Sequence, residues 1–424
     1  MRRFAPPCAT PRPSPRCSPR RNPLATAVTG LMAGVAALAA HAEPSTLLQG
    51  LPSLSLSTAT AGASPQGAEA TQAPRASAQT AAALSASFDP DCLQPPAAGR
   101  NSAGGTARKH LAPRVLILTM FEPETQVWQQ RLGPWTRTRI AGLPDGFPWL
   151  RCNAAQVCLA TIGMGHANAA ASAQALVLSG KLDLRQTYIL VTGMAAINPE
   201  QGTLGTPAWA RFLVDFGLQW QIDAREAPSD WPGGYLGINT RHPKDKPELD
   251  YETEVFQVDG ALLRKAVALS REAELADHPS AQAARARYPS GPASQPPQVT
   301  QCDTVSADTW FSGRLLGERA STWTQTLTNG AGNYCTAQQE DNATFEGLQR
   351  GARLGRVDLS RVLVLRAGAD FDRPPPGVSA AANLLNYTAQ GGFDLALDNL
   401  YRAALPVVKA ISTDWRHWQR GVPQ

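Results

Sequence analysis

The sequence predicts an α/β fold: a mixed, mainly parallel sheet flanked by helices. Three observations carry this expectation. Continuous apolar runs recur at residues 114–120, 187–192 and 362–365. Runs of that length suit strands buried on both faces, not strands with one wet face. Each run ends in glycines or acids and is followed by segments of helical character. Buried strands joined by helices build one sheet covered on both sides, and such sheets take ligands at the carboxyl ends of their strands.

Of the 424 residues, only 111–424 carry these patterns. Residues 1–22 are rich in Arg and Pro, and residues 24–40 are uncharged, small and apolar, ending in Ala40-His41-Ala42. A basic start, an apolar core and an A-x-A site describe a secretory signal peptide over residues 1–42. A permanent membrane anchor is the rival reading, but the run is short and rich in Ala, Gly and Thr, which favours cleavage. Residues 43–110 are rich in Ala, Ser, Thr, Gln, Pro and Gly. They hold too little large apolar surface to offset ordering entropy and read as a flexible linker. The expected location is therefore outside the cytoplasm, periplasmic or secreted, after cleavage near Ala42. The net charge of +5 comes from the arginines of the acid-free leader, so the remainder is close to neutral. That argues against nucleic acid as a partner, since phosphate recognition needs clustered Lys and Arg. Export implies an oxidising compartment. Cys92, Cys152, Cys158, Cys302 and Cys335 follow the leader, and none has metal-ligand spacing. Cys302 and Cys335 read either as a disulfide or as buried thiols.

The first strand, residues 114–120, runs into Phe121-Glu122-Pro123-Glu124-Thr125. Pro123 suits the first turn of a helix. Acids there serve either as helix N-terminal charges or as site residues. Residues 156–161 form a second strand, followed by Ile162-Gly163-Met164-Gly165-His166 and a small-residue helix to Leu178. Glycines let the backbone approach a ligand, and the helix N-terminus favours an anion or a polar oxygen. His166 is either a site donor or a satisfied loop histidine. The third strand, residues 187–192, is expected to end in a turn at Gly193-Met194-Ala195-Ala196-Ile197-Asn198-Pro199.

Residues 217–260 are an irregular excursion rich in Trp, Pro, Gly and charge, suited to a lid or an oligomer contact. Residues 262–275 read as an amphipathic helix and residues 278–298 as a surface insertion. A strand at 299–305 leads to Ser306-Ala307-Asp308-Thr309-Trp310-Phe311, two polar side chains and then two aromatics. A few placed polar groups on an apolar surface are what a nucleobase pocket needs, with core packing of one aromatic as the alternative. Gln338-Gln339-Glu340-Asp341-Asn342 puts a carboxylate at a helix start. The strand at 362–365 then delivers Arg366-Ala367-Gly368-Ala369-Asp370-Phe371-Asp372. A long helical region, residues 381–411, and an aromatic tail with Trp415 and Trp418 close the chain. There is no G-x-S-x-G elbow, no Walker loop and no metal-ligand cluster in the sequence.

In this order and spacing the motifs over residues 111–424 resemble the nucleoside phosphorylase superfamily, and most closely the purine nucleoside permease family. Thr161-Ile162-Gly163-Met164-Gly165-His166 is similar to the phosphorylase and nucleosidase glycine turn. Thr192-Gly193-Met194-Ala195-Ala196 is similar to their central G-x-A-G turn, and Ser306-Ala307-Asp308-Thr309-Trp310-Phe311 to their S-G-D-x-F segment. Gln339-Glu340 stands where they have Met-Glu, and Arg366-Ala367-Gly368-Ala369-Asp370 where they have R-x-x-S-D. The strings Gln338-Gln339-Glu340-Asp341-Asn342-Ala343-Thr344 and Gly368-Ala369-Asp370-Phe371-Asp372-Arg373-Pro374 resemble the permeases specifically.

The resemblance implies a nucleoside phosphorylase-like fold and a purine nucleoside ligand. It implies that Glu340 binds the ribose hydroxyls, as an ionised carboxylate can accept two hydrogen bonds from a vicinal diol. It implies that Asp370 protonates or hydrogen-bonds purine N7 as the glycosidic bond breaks. Glu124 aligns with the nucleosidases' water-activating acid. Gly163, Gly165, Gly193, Ser306, Asp308, Phe311, Gln339 and Asn342 complete the expected substrate contacts. Two departures weaken phosphorolysis more than nucleoside binding: Gln339 replaces Met and Ala369 replaces Ser. No arginine is assigned to phosphate, although Arg137 and Arg139 lie in a region suited to one. The expected function is an exported purine nucleoside-binding protein supporting uptake, with a membrane transport partner. The alternative is a periplasmic phosphorylase or nucleosidase. No cofactor is expected beyond phosphate as a possible co-substrate, no metal is expected, and a homo-oligomer follows by analogy alone.

Overall fold

The computed structural model describes residues 110–424. The signal peptide at 1–42 lies outside the described residues. So does the linker, apart from its last residue, and so does Cys92. In chain order the described elements begin with β1 (Val115–Thr119), α1 (Glu122–Leu132), β2 (Thr136–Arg139), β3 (Trp149–Cys152), β4 (Val157–Thr161) and α2 (His166–Leu178). Next come β5 (Tyr188–Ile197), β6 (Pro207–Trp209), β7 (Phe212–Asp215), β8 (Trp220–Gln221), β9 (Tyr235–Leu236), β10 (Val255–Gln257), α3 (Gly260–Ser270) and α4 (Pro279–Arg285). They continue with β11 (Thr300–Gln301), β12 (Asp303–Ser306), α5 (Arg314–Leu327), β13 (Tyr334–Gln338) and α6 (Asp341–Arg353). The last are β14 (Val362–Phe371), α7 (Ala380–Leu385), α8 (Phe393–Thr413) and α9 (Trp415–Trp418).

The fold is the expected mixed sheet with helices packed on it. Its main path runs β10-β7-β12-β13-β5-β1-β4-β3-β2, with β14 paired to β5 and β6, and β11 to β6. The pairings among β1, β4, β5 and β14 are all parallel. Leu116, Ile117 and Leu118 of β1 and Val362, Leu363 and Val364 of β14 are buried, as continuous apolar strands demand. Each such side chain contributes about 1.5–3 kcal/mol through burial. Among the described residues, no helix is long and apolar enough to cross a membrane.

One detail of pairing decides where a site can form. β5 is ten residues long and keeps β14 on one edge from Ile189 to Ile197. On the other edge it pairs with β1 only over residues 188–191, and with β13 only at Ala196 and Ile197. Between these two partners the edge of β5 is open at residues 192–195. Neighbouring strands that diverge leave a crevice, the usual ligand position in α/β sheets.

Several expectations are corrected. The chain does not turn at Gly193; β5 carries straight on to Ile197, since β14 supports it along its whole length. Residues 278–298 are no mere surface insertion. They hold α4, and Tyr288 stacks 4.3 Å from Phe371 and donates a 2.7 Å hydrogen bond to the Arg373 carbonyl. The helix expected over 381–411 is split into α7, a short 3-10 turn and α8, with Gly391-Gly392 between them. The hairpin β2–β3 was not foreseen. It is tied to β4 by a Cys152–Cys158 disulfide across paired strands, and Cys302 and Cys335 also form a disulfide.

Candidate functional site

The gap in β5 is filled from α1. Thr125 ties the start of this helix to both neighbouring strands, its hydroxyl lying 2.6 Å from those of Thr119 and Thr161. That anchor aims Glu124 at the open edge. Its Oε1 accepts a 2.7 Å hydrogen bond from the Met194 amide, and its Oε2 accepts one of 2.8 Å from the Met120 amide. A buried edge amide needs a partner, and a side-chain carboxylate supplies it here. Gly193 makes the approach possible: a Cβ there would lie 2.6 Å from Arg366 Nη1 and 2.7 Å from Glu124 Oε1. Burial pushes the Glu124 carboxyl up to about 7, against the pull of Arg366 and the two amides.

Arg366 rises from β14 beside this acid and is 1% exposed. Its Nε and Nη2 donate to Asp341, with a shortest distance of 2.5 Å. Nη2 also reaches Glu340 Oε2 at 3.2 Å, and Nη1 donates to the Met194 carbonyl at 3.1 Å. Burial opposes its charge, but the carboxylates of Asp341 and Glu340 more than offset this, so the guanidinium is held above its ordinary range. Glu340 occupies the N-cap position of α6 without capping it. Its Oε1 instead accepts the Gly165 amide at 3.1 Å, which joins the starts of α2 and α6.

Asp370 ends the constellation. It is 5% exposed, and its carboxyl makes no hydrogen bond to the described residues. Burial, and then the charge of Asp372, push it up to about 7. Asp372 is itself held by Arg373 and by the Tyr334 hydroxyl at 2.8 Å. Glu124, Glu340, Arg366 and Asp370 line one cavity of about 350 Å³, walled by Met120, Phe121, Met164, Trp310, Leu384, Tyr387 and Phe393. A larger depression of about 830 Å³ lies against α4 and α7. Its described lining holds no carboxylate, so the smaller cavity is the chemically equipped one.

The raised Asp370 carries a stability consequence. Its neutral form is favoured when folded, so the stabilisation is complete below about pH 4 and is lost as the pH rises through about 7. Asp370→Asn should therefore be more stable than the parent at about pH 8, by up to ~4 kcal/mol, with the gap closing toward about pH 4. Denaturant unfolding across that range measures it. A gap independent of pH would mean that Asp370 does not carry this cost.

The purine nucleoside permease family model matches residues 112–423. The chain belongs to the purine nucleoside permease family. It is 37% identical over 325 residues to a probable purine nucleoside permease of Schizosaccharomyces pombe, covering 73% of this chain and 92% of that one. It is 34% identical over 308 residues to a purine nucleoside permease of Candida albicans, covering 72% of this chain and 76% of that one. Among solved structures, it is similar to a 5′-methylthioadenosine/S-adenosylhomocysteine nucleosidase from Neisseria meningitidis, with TM-score 0.45, 15% identity, and 71% and 99% of the two chains covered. A futalosine hydrolase of Helicobacter pylori gives TM-score 0.42 at 13% identity, covering 71% and 97%.

In this member of the permease family, the expected site residues divide into two groups. Glu124, Gln339, Glu340 and Asp370 line the cavity. Gly165 and Gly193 touch it through Glu340 and Glu124. The others do not line it. Asn342 is buried and donates to the Thr253 carbonyl, and its Oδ1 accepts from the Ser306 hydroxyl at 2.6 Å. Ser306 therefore spends its hydroxyl on tying β12 to α6, and Asn342 spends its side chain on β12 and on the segment before β10. Asp308 accepts from the His166 amide at 2.7 Å and so serves the start of α2. Phe311 packs 5.3 Å from Phe216 in the core, while its neighbour Trp310 faces the cavity. Gly163 takes a φ of 88° at the turn, close to Asn168. Arg137 lies over the Trp149 ring on the edge hairpin, remote in strand order from the gap.

The sequence reading missed Arg366 as the hub and Met194 as the bridged amide. The signal for Arg366 was present: an arginine directly after a buried apolar run needs buried acids, and Glu340-Asp341 is an adjacent pair.

Proposed function

We propose that this protein binds purine nucleosides in the cavity beside the β5 gap and serves nucleoside uptake as an exported binding component. In this reading the domain captures the nucleoside and a membrane partner carries it across. One observation carries it: a cavity of about 350 Å³ brings Glu340 and Asp370 together with Trp310 and Phe393. That size and that mix of apolar wall and few polar groups suit a small polar ligand with a flat ring. Glu340 accepts the ribose hydroxyls and Asp370 hydrogen-bonds the purine edge, with Trp310 beside the base. The names of the fungal relatives support the nucleoside as ligand.

A second reading is favoured by a specific feature. Glu124 and Asp370 both titrate near 7 on the same cavity. Such a pair suits general base and general acid. Glu124 would take a proton from water as its oxygen bonds to C1′. The C1′–N9 bond would break, and Asp370 would give the departing purine a proton.

The test is to incubate the full chain with adenosine, inosine or guanosine, with and without phosphate. Free base is measured by chromatography and binding by calorimetry. Binding without base release is the expected result. Base release makes the protein an enzyme: a hydrolase if phosphate is unnecessary, a phosphorylase if it is required. No binding and no release with any purine nucleoside would overturn the proposal.

A further inference from the structure

We infer that this cavity rejects anions, so that it selects unphosphorylated purine nucleosides over their 5′-monophosphates and over inorganic phosphate. The inference rests on the nucleoside reading above. A helix start after a glycine turn can seat an anion, because free amides and the helix dipole meet there, and the start of α2 lies beside this cavity. Here that seat is already filled by the protein's own acids. The Gly165 amide donates to Glu340 Oε1 at 3.1 Å, and the His166 amide donates to Asp308 Oδ1 at 2.7 Å. Two fixed carboxyl groups thus occupy the positive end of the helix.

The cation that would have to replace them is also committed. Among the described residues that line the cavity, Arg366 is the only one with a cationic side chain. Each of its three nitrogens already donates within the protein, to Asp341, Glu340, the Gln338 side-chain oxygen or the Met194 carbonyl. Glu124, Glu340 and Asp370 line the same space. Above about pH 7, where Glu124 and Asp370 are ionised beside Glu340, a phosphate entering it would meet like charge at short range. Capturing Arg366 would strip a buried ion pair and leave its acids unpaired. An uncharged nucleoside meets neither cost, because its hydroxyls donate to Glu340. The outer wall of Met164, Leu384, Tyr387 and Phe393 offers a 5′-phosphate no counter-charge.

Calorimetry on the full chain with inosine, inosine 5′-monophosphate and inorganic phosphate tests this. Inosine should bind at least about 100-fold more tightly than its monophosphate, and phosphate should neither bind nor displace inosine. In Glu340→Gln, which removes the negative charge at one seat and weakens one Arg366 contact, the ratio should narrow by roughly tenfold or more. Monophosphate binding within about threefold of inosine, phosphate binding, or a ratio unchanged in Glu340→Gln would each overturn the inference while leaving nucleoside binding intact. Failure of inosine, adenosine and guanosine alike to bind would instead remove the nucleoside reading, and this inference with it.

Discussion

Arg366→Leu is expected to lose about 3–5 kcal/mol of folding stability. The guanidinium is the shared partner of Asp341 and Glu340 and lies close to Glu124. Asp341 is 1% exposed and cannot turn to water, and Glu340, 4% exposed, faces only the cavity. Leucine would leave them buried without a counter-charge and would strip the Met194 carbonyl of its donor. Arg366→Lys should recover only part of the loss, because an ammonium cannot span Asp341, Glu340 and a carbonyl as a planar fork does. The measurement is the urea midpoint of the two variants against the parent. The double variant Arg366→Leu, Asp341→Leu should regain stability over Arg366→Leu, since it removes the most deeply buried stranded charge. Parental stability in Arg366→Leu would show that the acids find other partners.

Glu340→Gln is expected to cost roughly 10–150-fold in purine nucleoside affinity, the weight of hydrogen bonds to a charged acceptor, with a smaller loss of stability. The amide keeps the size and one oxygen of the acid, and Arg366 retains Asp341. What disappears is the charge that strengthens hydrogen bonds from a vicinal diol. Calorimetry with inosine and with 2′-deoxyinosine separates binding from packing. The parent should prefer inosine, and Glu340→Gln should lose most of that preference. Equal preference in both proteins would remove Glu340 from the sugar. Glu340→Ala is a poorer probe, because it also empties the space between Gly165 and Arg366.

The sheet was legible because its strands are continuous apolar runs. Burial on both faces leaves that mark locally, so the starts of β1, β4, β5 and β14 could be placed within a residue, while β5 and β14 run on several residues past their expected ends. The acids of the site were legible for a related reason. Glu124 falls just after such a run and Asp370 just beyond one, where an α/β sheet presents its ligand edge, while Glu340 was legible as an acid at a helix start. The break between α7 and α8, and the packed segment around Tyr288, were hidden. Both depend on contacts with residues distant in sequence, such as Phe371.

The sequence by itself therefore determined the class of fold, the strand ends that carry acids, and membership in the permease family. Those follow from hydrophobic continuity, residue chemistry and motif order, all of which are local. Only the tertiary structure decided that β5 runs through Gly193 and leaves a four-residue opening between β1 and β13. It alone turned Trp310 toward the cavity and Phe311 into the core, joined Cys152 to Cys158, and spent Asn342, Ser306 and Asp308 on holding helices in place. The reason is that strand register and ion pairing join residues far apart in the chain. Arg366 and Met194 are 172 positions apart, and Gly165 and Glu340 are 175 apart. No local pattern records which distant partner a buried amide or guanidinium will find.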